Sequence, residues 1–407
     1  MPSSGSEPRY AWVMLVIGTV LVALNLGVLS SLSVFLKPIS QEFGWPRGAT
    51  ALAYTIGAVT IGIAGVLWGR LADRYGTRPV VLVGAIAQPT ALVLLAGISS
   101  LPQFYAAYVV LAALGVAAVN VPTIANVGLW FHRHQGTALG VLSAGGPLGQ
   151  ILVAFVAGHV IVSYGWRAAY LTLAVIYAVG SIPLAFMIRT PPVLAGAQVP
   201  GAVARASHPL LPAPLVVAWL SLATVFCCAT MSVPIVHTVA MLTDRGMPYT
   251  DAVRVFLVIM GAGVFGRVLL GRITDHLGGL HSYFWTSLLQ TVLLFWFLRV
   301  ESMPVLYALS ALFGIGYSGV MTAVWVCIRE LVEPKVVAMS LAVVVMFAWF
   351  GMGLGGWHGG HAYDRTGSYT RPYLDAVGAG AVNLVIVGAL IRRVSRARTL
   401  PVAQPAG

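Results

Sequence analysis

Long apolar runs alternate with short polar clusters along nearly the whole chain. Twelve runs stand out, at 11–36, 48–69, 79–99, 102–129, 136–161, 166–189, 214–242, 250–272, 280–299, 303–328, 336–360 and 372–391. A helix of about 20 residues, rising 1.5 Å per residue, crosses a hydrocarbon core of about 30 Å. The pattern predicts an all-α integral membrane protein of twelve transmembrane helices. The first run follows Arg9, is too long for a secretory signal, and has no A-x-A cleavage site after it.

Composition agrees with the pattern. Charged residues are 8% of the 407 and hydrophobic ones 59%, whereas soluble domains carry roughly 25% charged residues. The 45 glycines suit the close helix approach of membrane bundles. The longest polar connection, 190–213, is rich in Pro, Ala and Gly. It divides the chain into an N-terminal six-helix bundle, 1–189, and a C-terminal one, 214–407, that ends in a short basic tail. Of the 23 basic residues, fourteen fall on the side of the termini and eight on the other, with Arg267 between them. The positive-inside rule then predicts both termini in the cytoplasm. The net charge of +12 is therefore a topology signal. No clustered basic surface offers itself to a nucleic acid, so no such partner is expected. Cys227, Cys228 and Cys327 all lie in apolar runs without metal or disulfide spacing, and read as small packing residues. No metal site and no cofactor is expected.

The two halves repeat one signature. After the second run stands Gly69-Arg70-Leu71-Ala72-Asp73-Arg74-Tyr75-Gly76-Thr77-Arg78, and after the eighth Gly271-Arg272-Ile273-Thr274-Asp275-His276-Leu277-Gly278. A six-span unit used twice is the mark of secondary transporters with a site between the halves near the bilayer midplane.

Gly69 to Arg78 resembles the cytoplasmic loop motif of the major facilitator superfamily, G-x-L-A-D-R-x-G-R-K, with Thr77 and Arg78 in place of the usual last pair. Twelve spans, a central loop and a degenerate second copy extend the resemblance over the whole chain. The implied fold is two pseudo-symmetric six-helix bundles. Gly69, Asp73, Arg74, Gly76 and Arg78, with Gly271 and Asp275 in the second copy, would form a conformational latch. In it Asp73 accepts from backbone N–H groups at a helix start and pairs with basic side chains across the halves. Further segments resemble bacterial monocarboxylate transporters and the oxalate/formate-type antiporters. They are Phe43-Gly44-Trp45-Pro46-Arg47, Trp130 to Gly140 with Ser143-Ala144-Gly145-Gly146-Pro147, and Gly165-Trp166-Arg167. The glycines of 145–147 read as helix packing.

One residue carries the chemistry. Arg267 is the only charge between Val255 and Leu270. A charge at membrane depth costs from about 3 to over 10 kcal/mol, and by default marks a functional site. Its planar fork matches a carboxylate. It lies five residues, roughly 7–8 Å of helix, from Arg272, and helical side chains lean toward the N-terminus. A snorkelling role at lipid headgroups is the bland alternative, but Gly263 and Gly266 beside it point to a crowded protein interior. By the resemblance Arg267 matches the span-8 arginine that binds substrate carboxylate. Asn25, Asn120 and Tyr317 lie mid-span in helices 1, 4 and 10, which line the cavity in the superfamily. They would hydrogen-bond the substrate or tie helices together. Phe347, Trp349 and Phe350 offer an apolar wall.

There are departures. The helix-1 lysine of the animal monocarboxylate transporters falls near Ser30, their span-8 aspartate at Gly263, and helix 11 carries no charge from Ala338 to Gly356. One fixed cation favours a monocarboxylate over a dicarboxylate. No Asp or Glu lies deep in a span; Asp375 sits near an outer end, as do His159, His237, His358 and His361. A co-transported proton would then ride on the substrate.

The sequence therefore predicts a secondary transporter of a small organic monocarboxylate, resembling lactate or pyruvate, working by alternating access with a proton. Its partners are the organic anion, a proton and membrane lipid. It is expected as a monomer in a bacterial inner membrane. Anion exchange and efflux remain transporter alternatives, and a receptor or sensor on the same fold the alternative outside transport. No nucleophile–base pair, nucleotide loop or metal cluster suggests an enzyme.

Overall fold

The protein, a computed structural model, is described over residues 8–30, 32–131, 135–190, 211–333 and 336–399, with residues 30, 135–137, 275, 338, 398 and 399 described by backbone alone. The side chain of Asp275, the position of the helix-1 lysine at Ser30, His132–His134 of one motif, and the connection 191–210 therefore lie outside the described side chains or residues.

The described residues form helices joined by short turns. They are α1 (Arg9–Ser30), α2 (Leu32–Phe43), α3 (Arg47–Tyr75), α4 (Thr77–Ala96), α5 (Leu101–Val110), a π-helical segment (Leu111–Val116), α6 (Ala117–Trp130), α7 (Gln135–Phe186), α8 (Ala213–Asp244), α9 (Tyr249–Leu277), α10 (Gly279–Trp296), α11 (Met303–Leu331), α12 (Val337–Thr366) and α13 (Thr370–Thr399). Among them, ten stretches are long and apolar enough to cross a membrane; one is Arg9–Phe43, which joins α1 and α2, and another is Leu101–Trp130. The 52-residue α7 holds two passes, because Gly165 at φ 82° breaks it in a conformation that side chains resist. With the 18-residue α10 the passes number twelve, as the apolar pattern predicts.

The helices run past the apolar runs, and this corrects one reading. The repeated signature is not a loop. Gly69 to Tyr75 is the last part of α3, and Gly271 to Leu277 the last part of α9. Only Gly76 (φ 87°) and Gly278 (φ 79°) are turn residues. Each donates its N–H back into the preceding helix, Gly76 to Ala72 and Gly278 to Thr274. Arg70, Asp73 and Arg74 end the apolar run, but they are compatible with helix; the left-handed glycine ends the helix.

The chain packs as two sets of six passes. Among the described residues, the main contacts of α4 are with elements of the first set, and those of α10 with elements of the second. The main contacts between the sets are α3 with α12, α7 with α9, and α2 with α8. In passes, these are second with eleventh, and fifth with eighth. A shift by six passes exchanges the two pairs, as a duplicated unit requires. The ends of the bundle are called proximal, where Gly76, Gly278, the start of α1 and the end of α13 lie, and distal, where 44–46, Gly165, 245–248 and 367–369 lie. Cys227, Cys228 and Cys327 are buried and free, as packing residues should be.

Candidate functional site

Arg267 sits on α9 where the two halves meet. Phe265 and Val268 beside it are 74% and 54% exposed, so they mark the lipid side of the helix. Arg267 points the other way. Its Nη1 donates to the Ser143 carbonyl on α7. A Cβ on Gly146 would lie 3.9 Å from Nη1 and 4.0 Å from Nη2. The arginine thus reaches across the interface onto the Ser143–Pro147 motif and does not snorkel to headgroups. Its Nε is buried without a hydrogen-bond partner. The Nε/Nη2 edge is one of the two edges of a guanidinium that clasp a carboxylate with parallel hydrogen bonds.

Small residues make room for this. Gly266 meets α11 so closely that a Cβ would be 2.3 Å from Ser318 Oγ and 2.6 Å from Ile315 Cα. Gly263, one turn before Arg267, leaves space for the Tyr317 hydroxyl, 3.2 Å from where its Cβ would stand. That hydroxyl donates weakly to Met260 Sδ at 3.4 Å and lies within electrostatic reach of the guanidinium. The structure therefore brings two of the expected site residues, Arg267 and Tyr317, together.

The two asparagines part company. Asn25 is fully buried inside the first half. Its amide donates to the Gly115 carbonyl at 3.4 Å, and Gln88 donates to its backbone carbonyl at 3.3 Å. It ties α1 to the π-helical segment and is not brought beside Arg267. Asn120, just after that segment, is 9% exposed, and its side chain makes no hydrogen bond with another described residue. The π segment leaves the Ala113 carbonyl to accept from Trp68 Nε1 at 2.6 Å. Sequence reasoning did not find it, because one added residue per turn leaves no mark in an apolar run. Of the expected apolar wall, Trp349 packs against the core while Phe347 and Phe350 are exposed.

Asp73 is exposed and bonds to no other described residue; the Arg74 guanidinium lies over the Tyr75 ring at 5.3 Å. Toward the proximal end, the described contacts of α3 with the other half thin out. Gly62 still faces Met346 of α12, but Gly65 and Gly69 pack only against Val121 of their own half.

The distal end is closed by residues the sequence did not single out for that task. Arg47, from the Phe43–Arg47 motif, forks onto both carboxylate oxygens of Asp244 in the other half, Nη2 to Oδ1 at 2.9 Å. Lys37 joins the same carboxylate at 2.9 Å. Arg47 Nη1 also donates to the Tyr369 hydroxyl at 3.0 Å, and its guanidinium lies 4.0 Å above the Tyr363 ring. Burial pushes the Tyr369 hydroxyl above its ordinary range, so it keeps its proton and remains a donor. Asp364 of α12 accepts from the backbone N–H groups of Arg47 at 2.8 Å and Gly48 at 2.6 Å. A helix start that lacks a side-chain cap of its own is thus capped from the opposite half, where a carboxylate also complements the helix dipole. Tyr249 adds a bond to the Val34 carbonyl at 2.7 Å. His237, expected toward an outer end, meets Tyr369 of the distal end and is fully buried in α8, seven residues before Asp244.

The comparisons agree with this architecture. The model of the Major Facilitator Superfamily matches residues 15–356. An MFS-type transporter of Bacillus subtilis, YcxA, is 24% identical over 89% of this chain and 91% of its own. Monocarboxylate transporter 13 of Bos taurus is 26% identical over 94% of this chain and 89% of its own. Among solved structures, a bacterial homolog of the human lysosomal transporter Spinster, inward-facing and unoccupied, superposes with a TM-score of 0.76 at 17% identity, covering 99% of this chain and 100% of that one. The E. coli xylose transporter XylE, partially occluded and inward open, gives 0.75 at 14% identity over 94% and 98%. Twelve passes, two interlocking sets of six, paired glycine turns and a family match over most of its length make one conclusion: this chain belongs to the Major Facilitator Superfamily.

Proposed function

We propose that this transporter carries a small organic monocarboxylate, of the lactate or pyruvate kind, together with a proton. The observation that carries the reading is the unbonded Nε of Arg267 at the seam between the halves. A buried cationic donor without a partner is costly, and a carboxylate would satisfy it. The Tyr317 hydroxyl, within electrostatic reach of the guanidinium, would take a hydroxyl or second oxygen. A single fixed cation suits a single negative charge. Similarity to monocarboxylate transporters of cattle and rat supports the same class.

The distal end would face outward and both termini the cytoplasm of a bacterial inner membrane, with the protein acting as a monomer. The distal cluster is then the outer gate, and Asp73 with its repeat the inner latch, engaged when the proximal ends meet. Alternating access follows from making one while breaking the other. The test is uptake of a panel of radiolabelled carboxylates into proteoliposomes, with and without an inward pH gradient at clamped potential. Saturable, gradient-stimulated uptake of C2–C4 monocarboxylates is expected. Stimulation by internal anion alone would establish exchange in place of symport.

A further inference from the structure

His237 occupies a notch cut for it. A Cβ on Gly359 would stand 2.5 Å from the imidazole Cδ2 and 2.6 Å from Nε2. Nε2 faces the Gly356 carbonyl at 2.8 Å. A carbonyl only accepts, so Nε2 carries the hydrogen and Nδ1 of the neutral ring is an acceptor. Nδ1 faces the Tyr369 hydroxyl at 3.3 Å. The Tyr369 oxygen in turn accepts from Arg47 Nη1 at 3.0 Å. The chain of donors runs one way, from Arg47 through Tyr369 and His237 to Gly356. His237, Tyr369 and Gly356 belong to the second half of the chain; Arg47 alone belongs to the first.

We infer that His237 is the protonatable element of the distal gate, and that a proton on Nδ1 releases Arg47 and lets the distal end open. A protonated Nδ1 must donate, and among the described residues the one oxygen it bonds is the one Arg47 already uses. The Tyr369 O–H then turns away, and two cationic donors converge on one phenolic oxygen. Of the two donors it is the guanidinium that gives up the shared oxygen, because it moves with the other half; Asp244 is then its remaining side-chain hydrogen-bond partner across the halves. The groups around the ring leave the proton no other partner. Among the described residues the ring bonds only to Gly356 on α12 and Tyr369; the charged groups of the cluster beyond Tyr369 are Arg47 on α3, Lys37 on α2, Asp244 on α8 and Asp364 on α12, and Asp244 and Asp364 are themselves taken up by Arg47, Lys37 and the N–H groups of Arg47 and Gly48. Among the described residues, no carboxylate bonds to the imidazole. The proton therefore binds when Arg47 has withdrawn and is lost when Arg47 returns. This deepens the proposed proton coupling, and supplies a proton site where no carboxylate lies deep within a span.

The test reads gate opening and needs no substrate. Thr55 on α3 donates to the Gly353 carbonyl of the other half at 2.6 Å, so Thr55→Cys, with Cys227, Cys228 and Cys327 replaced by serine, reports solvent entry between the halves. Proteoliposomes of one orientation are exposed at the distal side to a charged thiol reagent between about pH 5.5 and 8. Rates are normalised to Tyr164→Cys, a distal site that is 78% exposed. Normalised labelling should rise about tenfold as the pH falls, the ratio given by one pK unit of coupling. His237→Gln takes no proton but can still donate to Gly356 and accept from Tyr369, and should abolish the rise. Tyr369→Phe keeps the ring near Arg47 without the hydroxyl, and should abolish it too. It also decides the matter if the glutamine variant does not fold. A parent without a pH-dependent rise, or either folded variant that retains one, overturns the inference. A pH-gated protein that takes up no carboxylate refutes the substrate class alone; carboxylate uptake with a pH-independent gate refutes the role of His237 alone.

Discussion

At the scale of residues, two arginines divide the work. Arg267 keeps part of its fork on Ser143 and leaves Nε unbonded, whereas Arg47 spends its fork on Asp244 and Tyr369. Lysine offers a point charge in place of a planar fork. Arg267→Lys should therefore lower kcat/KM for carboxylate uptake by roughly ten- to a hundredfold, the range of one ionic hydrogen bond at about 1.5–3 kcal/mol, with normal yield of folded protein. Kinetics within twofold of the parent would remove Arg267 from the site. Gly263→Ala tests the second residue. Its Cβ would stand 3.2 Å from the Tyr317 hydroxyl and displace it. Uptake should show a raised KM that Tyr317→Phe reproduces; a KM unmoved in both variants would leave Tyr317 a packing residue.

At the scale of elements, glycine placement decides how near helices come. A Cβ on Gly149 would stand 1.6 Å from the Ala23 carbonyl oxygen, and one on Gly145 2.6 Å from that of Thr19. α7 therefore lies directly on the backbone of α1, and this contact presents Ser143 to Arg267. Gly149→Leu forces α7 outward. Overpacking costs about 1–3 kcal/mol where the site yields, and more where backbone is struck. The thermal midpoint of detergent-solubilised protein, followed by size-exclusion chromatography, should fall by several degrees or the variant should not be recovered. A midpoint equal to the parent's would show that α1 gives way freely. The motif Ser143 to Pro147 was legible as helix packing from its glycines alone, but that it also supplies a carbonyl to the site was not. Backbone acceptors have no sequence signature.

At the scale of the whole molecule, the contacts favour one end. The distal halves are joined by Arg47, Lys37, Asp244 and Asp364, while Asp73 at the proximal end is exposed and unbonded. If the two clusters alternate, their mutants act with opposite sign. Asp244→Asn weakens the distal contacts and should raise distal labelling of Thr55→Cys severalfold. Asp73→Asn weakens only the state with the proximal ends together and should lower that labelling. Shifts in the same direction, or no shift from either, would show that these carboxylates do not set the balance.

The sequence by itself determined the twelve passes, the duplication, and the lone intramembrane arginine. Each follows from local rules: apolar length against bilayer thickness, a repeated signature, and the cost of an isolated charge. Tertiary structure alone decided that Asn25 ties helices while Tyr317 joins Arg267, since both are mid-span polar residues and only the facing helix tells them apart. It also decided that Arg47, Asp244, Asp364 and Tyr369, as many as 322 residues apart, form one cluster between the halves. Each looks like an ordinary polar residue near the end of a helix. What joins them is the pairing of one half with the other, and that pairing is a long-range property which no window of sequence contains.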